Sequence, residues 1–375
     1  MTSQLQEFLK KIISDNPDYK FSFGHSNWET DFVRFYQSQI NYNISKQSEN
    51  LDVTLYKGKK SFSFSISNPN QKDILQKLEE AYLLVDKLPE DPEFVDLEKD
   101  LTTTEETVKE NNILKLNIEK KIELLEKFAL AATNHGFKIY GTFICNYSKD
   151  TIINSNGVCK VNYNSPIMLE IKGVSDLNMV TVLESIGGEK LENLNFEDAV
   201  KSFERKLIAG KADVMDCDSG QYEVILAPRC VGEFLSYLGS SFSSAALDRK
   251  ASFFEGKENK LVFPECVTVY DDPQNPDLVN FDYSGEGHKI DKLMLIENGV
   301  FKNYFVGNYY SHKTGLPENG NSGSCLVMDT GDKSLEKMIS TVKRGLYISS
   351  LHYMNFINAK ETSLTGLTRD GTFLI

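Results

Sequence analysis

A chain of 375 residues is long enough for two or three domains, and 40% apolar with 25% charged residues is the balance of a globular protein, not a disordered one. A formal charge of −13 argues against a broad nucleic-acid footprint, which needs clustered Lys and Arg. No run is apolar enough to cross a membrane, and the N-terminal residues lack the apolar core and cleavage site of a signal peptide, so a cytoplasmic protein is expected.

Leu5, Phe8, Leu9, Ile12 and Ile13 fall at helical spacing and predict a helix over 4–14. Alternating stretches over 19–23, 31–37, 40–45, 51–56 and 61–67 predict strands, the last two joined through Lys57-Gly58-Lys59. A helix over 72–86 follows, so residues 1–90 read as a two-layer α+β domain. Pro89 and Pro92 mark a boundary, and residues 91–112, acidic and Thr-rich, read as a linker or a solvated helix start. Residues 113–212 again run helix, strands, helix: a long helix to 134 with Gly136 as its left-handed cap, strands over 138–146, 150–154, 159–164, 167–172 and 179–186, and a helix over 196–211. From Gly220 to Ile375 the chain is richer in strands: 221–227, 261–262, 266–270, 292–297, 300–306, 345–350, 354–359, 363–368 and 371–375. A helix over 231–247, dense in small residues, and one over 334–344 interrupt them. The expected class is α+β, with N-terminal two-layer units followed by a strand-rich C-terminal domain and a large antiparallel sheet. The chain stops on the apolar stretch Thr372–Ile375, so a C-terminus truncated from a longer natural one is expected.

Few residues carry obvious chemistry. Cys145, Cys159, Cys217, Cys230, Cys266 and Cys325 are scattered, without the paired spacing of a zinc ribbon, and read as reduced thiols. The five His are far apart and none precedes a Glu, so no zincin helix is present. Asp271, Asp272, Glu286 and His288 could converge on a metal, but all fall in loop patterns where solvated carboxylates are the plainer reading. The Ser-rich run 236–244 lacks the G-x-S-x-G elbow of a nucleophile and reads as a closely packed helix. Residues 316–323, LPENGNSG, have turn chemistry and not that of a phosphate loop. An open sheet edge in the last third could take up an extended peptide, or pair with a second subunit.

The stretch VILAPRCVGEFLSYLGSSFSSAALDRKASFFEGK resembles the start of the C-terminal domain of the TldD/PmbA family, also called modulator of DNA gyrase. Tyr309-Tyr310-Ser311-His312-Lys313-Thr314-Gly315, Lys343-Arg344-Gly345-Leu346-Tyr347-Ile348 and Thr365-Gly366-Leu367-Thr368-Arg369-Asp370-Gly371-Thr372-Phe373 are similar to later family segments. The resemblance covers the whole chain in outline and is specific after about Gly220. Its TldD type carries a His-Glu-x-x-x-His helix and a later Cys that hold a metal; its PmbA or TldE type lacks them. The matching helix is expected within 232–247, which begins Gly232-Glu233-Phe234-Leu235-Ser236-Tyr237 and contains no His. The resemblance therefore implies a PmbA/TldE-like, non-catalytic subunit of a metalloprotease acting on unfolded or extended peptides, with no catalytic or metal-binding residues of its own. Zinc is expected only in a TldD-type partner, and the assembly is that heterodimer or a homodimer, without direct contact to nucleic acid or membrane. His312, Arg369 and Asp370 are the candidate contacts to substrate or partner. The alternatives are an active hydrolase with an atypical set, Glu233, His288, His312 and Cys325, and an interaction protein that modulates another enzyme.

Overall fold

The computed structural model describes residues 3–100 and 108–375; part of the expected linker lies outside these residues. A seven-stranded antiparallel sheet organises the first half. Its strands are β1 (Lys20–Tyr36), β2 (Gln39–Lys57), β3 (Lys60–Ser67), β4 (Phe137–Asn154), β5 (Cys159–Asn164), β6 (Ile167–Ser175) and β7 (Thr181–Gly188). They run in the order β3-β2-β1-β4-β6-β7, with β5 paired to β4. β1 and β2 are single long strands where shorter ones are expected from the sequence. The polar stretch between Gly24 and Asp31 has neither apolar alternation nor a core to face, yet it pairs without a break against β2 on one side and β4 on the other. Its ladder is satisfied by backbone bonds; His25 is buried, while Asn27 and Trp28 are exposed and Ser26, Glu29 and Thr30 half-buried.

Because β1 pairs with β4, the two helix–strand–helix units share one sheet and keep separate cores. Phe21 and Phe23 of β1 pack with Leu9 and Ile12 of α1 (Ser3–Asp15) and with Ile74 and Leu78 of α2 (Gln71–Val85). Val33 and Phe35, of the same parity in the same strand, pack in a second core. That core is closed by α4 (Ile118–Asn134), preceded by the single turn α3 (Asn112–Lys115), and by α5 (Phe196–Ala209). The helix expected from 113 is broken at Asn117, whose side chain accepts from Lys120 N and starts α4 afresh. Gly136, at φ +78°, caps it as expected. Each fully buried Phe or Leu of these cores stabilises the fold by about 1.5–3 kcal/mol.

The large antiparallel sheet of the expected α+β class is therefore this one. The C-terminal residues contribute smaller sheets. β8 (Glu223–Leu226) runs parallel to β13 (Gly345–Ile348), which pairs on its other edge with β16 (Thr372–Leu374). β9 (Val269–Asp271), β10 (Leu293–Glu297), β11 (Val300–Phe301) and β12 (Leu326–Met328) form a second sheet, and β14 (Leu351–Asn358) and β15 (Ser363–Thr368) a hairpin. The core here is aromatic: Phe254 stacks between Phe242 and Phe301, each at 4.4 Å. The small-residue segment is not one helix. It is α6 (Pro228–Gly239), a 3-10 turn Ser240–Phe242 and α7 (Ser244–Asp248), separated where Ser243 is extended (ψ 129°) and its chain bridges to Phe305. Residues 261–262 supply only an isolated bridge from Leu261 to Val300, and the helix expected over 334–344 is α9 (Leu335–Thr341).

Candidate functional site

The strand-to-helix junction at Ala227 builds the first candidate site. β8 ends as Ala227 N donates to Ile348 O (2.9 Å), and Pro228 starts α6 at the helix position that needs no N–H. Gly232 is exposed on α6, and a Cβ there would meet nothing within 4 Å. It opens on a cleft of about 750 Å³ lined by Ser236, Ser244, Phe305, Tyr310 and the loop from Asn321 to Ser324. Glu233 faces Arg229 (3.6 Å), which itself pairs with Glu170 of β6 (2.9 Å). Burial raises the pKa of Glu233; Arg229 opposes this and Glu170 adds to it. Tyr237 turns away: its hydroxyl donates to Met354 O and its ring meets Phe356 edge-on at 5.2 Å. Among the described residues, α6 contributes to no cluster of His, Cys, Asp or Glu that could hold a metal. Two of the nearby serine hydroxyls are spent on backbone carbonyls. Ser240 Oγ bonds Tyr237 O (2.8 Å), and Ser252 Oγ bonds Ser241 O (2.6 Å).

A second cleft, of about 500 Å³, lies between the helix-free face of the large sheet and the C-terminal domain. Ser22, Asp52 and Asp150 line it from the sheet, Asp271, Ser322 and Ser324 from the other side. His25 also borders it, held by Glu49 (2.6 Å); burial depresses its pKa in spite of that contact. Asp271 is spent on architecture: its carboxylate accepts from Cys325 N and from Asn321 Nδ2, both at 2.9 Å.

The residues singled out in the sequence are dispersed. His312 is exposed on α8 (Asn308–Thr314). Arg369 lies beside His352 (2.8 Å), and Asp370 pairs with Lys172 of β6 (2.6 Å). Burial works against the charge of Asp370, but hydrogen bonds from Lys172 and Thr181 outweigh it and leave its pKa below the usual value. None of the three lines either cleft. Asp271, Asp272, Glu286 and His288 do not converge: Asp272 faces Lys292 (3.8 Å), Glu286 accepts from Asn308 N (3.2 Å), and His288 lies between Glu98 and Glu318. Among Glu233, His288, His312 and Cys325, no hydrogen bond or ion pair joins any two in the described residues. Cys325 is buried with its thiol bonded to Val279 O (3.0 Å), and burial with Asp271 and Asp272 pushes its pKa up to about 12. The Cys230 thiol is similarly pushed up to about 11, chiefly by burial. Neither is an activated nucleophile. Glu98 and Glu318 were not visible as candidates: one lies in the linker and the other in a turn.

A strand-to-helix junction over a small-residue cleft, joined to a large antiparallel sheet, is a fold already seen in solved structures. Residues 219–375 match the model of the PmbA/TldA metallopeptidase C-terminal domain. A zinc metalloprotease TldD homolog of Saccharolobus solfataricus is 30% identical over 146 residues, 35% of this chain and 33% of that protein. A metalloprotease PmbA homolog of Haemophilus influenzae is 23% identical over 229 residues, 54% of this chain and 50% of that protein. The crystal structure of TldE from Thermococcus kodakarensis superposes with a TM-score of 0.83 at 18% identity, covering 98% of this chain and 90% of that one, a likeness of fold. The alignments to the first curated relatives span about a third to a half of their length. Residues 219–375 thus carry the C-terminal domain of the PmbA/TldA metallopeptidase family, and the chain as a whole shares the fold of TldE.

Proposed function

We propose that this chain is a PmbA/TldE-like, non-catalytic subunit that pairs with a TldD-type metalloprotease subunit in the cytoplasm and helps to hold an extended peptide for cleavage. The observation that carries this reading is α6. The segment that resembles the family's metal-binding helix contains no His; it begins at Gly232, which is open to the cleft, and passes through Tyr237, whose hydroxyl is committed to Met354 O. A hydrolytic zinc needs several protein ligands and a base that activates its water. Glu233 remains without either histidine, so zinc chemistry falls to the partner. The cleft along α6 keeps the small residues and loop backbone that an extended peptide could approach.

Co-expression with a TldD-type subunit tests this. The two chains are expected to co-purify, and peptidase activity to require both. Activity of the isolated chain that survives chelation and is lost in Glu233→Gln would contradict it.

A further inference from the structure

Three segments distant in sequence bring Glu98, His288 and Glu318 together. His288 Nδ1 lies 3.8 Å from Glu98 Oε2 and 3.6 Å from Glu318 Oε1, and the three ligand atoms lie within 4.8 Å of one another. These separations are too long for the bond of about 2.7–2.9 Å that an imidazolium makes to a carboxylate. They are near the spacing of two ligands on one ion, since atoms about 2.1 Å from a tetrahedral zinc lie about 3.4 Å apart. Glu318 Oε1 is wholly buried and accepts no hydrogen bond. Among the described residues no Lys or Arg pairs with Glu98 or Glu318.

The supports are built in before any ligand arrives. Asn154 Nδ2 donates to Glu98 O (2.8 Å) and Asn156 Nδ2 to Leu97 O (2.7 Å), which fixes the linker on the end of the large sheet. His288 closes a turn in which Ser284 N donates to His288 O (2.8 Å). Beside Glu318, Asn319 bonds Val306 N (3.1 Å) and Tyr304 O (2.9 Å). Gly320, at φ +67°, lies under the imidazole, where a Cβ would come within 2.9 Å of His288 Cδ2.

We propose that Glu98, His288 and Glu318 bind a divalent first-row transition ion, zinc for choice, which ties the linker to the C-terminal domain. One imidazole with two carboxylates suits zinc or manganese better than magnesium or calcium. The ion is a brace: it neutralises the two carboxylates and joins three segments. The proposal departs from the expectation of a metal-free chain, and its ligands include no residue of α6.

The test is calorimetric titration of zinc chloride into the chelator-stripped full chain, with exposed Cys217 and Cys266 changed to Ser to remove adventitious thiol ligands. One equivalent is expected to bind and to raise the melting temperature. Glu318→Gln and His288→Ala are each expected to weaken binding at least about tenfold. Should either fail to fold, Glu98→Gln in the linker decides by the same criterion. No zinc binding, or binding unchanged in the folded variants, would overturn the site and leave the non-catalytic reading standing. Binding lost in Glu233→Gln and kept in Glu98→Gln would put the ion on α6 and overturn both.

Discussion

At the scale of residues, the buried charges carry the sharpest consequences. Lys121 of α4 is fully buried in the second core and, among the described residues, its carboxylate partner is Asp31 of β1, 14% exposed. Removing one member of such a pair leaves an uncompensated charge, so Asp31→Asn is expected to cost about 3–5 kcal/mol in urea denaturation. A loss under about 1 kcal/mol would show that the pair is replaceable. Asp370 makes a prediction in pH. Its folded pKa lies below the unfolded value, so its contribution is present above the unfolded pKa, about 4, and is lost as pH falls through the folded value. The stability gap between the wild type and Asp370→Asn is therefore expected to shrink as pH falls from 5 to 2.5 in steps of about half a unit. A constant gap across that range would contradict the role given to Lys172. The same bond reads Asp370 as an anchor between the C-terminal residues and the large sheet.

At the scale of elements, close backbone approach matters more than propensity. Gly141 of β4 sits opposite Phe35 and Ile171 at φ +149°, and a Cβ there would lie 2.0 Å from Glu170 O. Gly141→Ala is expected to destabilise by at least about 2 kcal/mol, because the sheet must open to admit it; an unchanged melting temperature would show that the strand relaxes freely. Helices and hairpins with amphipathic pattern were legible: α1, α2, α5, the β2–β3 turn at Gly58 and the Asn298-Gly299 turn stand where periodicity and turn residues put them. The long middle of β1 was not, because its residues from Gly24 to Asp31 are mostly polar and carry no period-2 apolar signal. Neither was the break at Ser243, since a Ser-rich run suits helix and turn alike. The absence of His from α6 was plain from the residues. The meeting of Glu98 with Glu318 was not, since it depends on where a linker is pinned.

At the scale of the whole molecule, one sheet carries two helical cores on one face and presents polar residues to the C-terminal domain on the other. That arrangement places one cleft between the sheet and the C-terminal residues and another along α6, and among the described residues no cluster of possible metal ligands includes a residue of α6. The proposed role rests on α6 carrying no metal ligands. The direct measurement is peptidase activity on an unfolded polypeptide, for the purified chain alone, for a TldD-type subunit alone, and for the two together. The account predicts no activity from this chain alone and full activity only with the partner, abolished by a change in the partner's metal ligands. Metal-dependent cleavage by this chain alone, lost in Glu233→Gln, would contradict it.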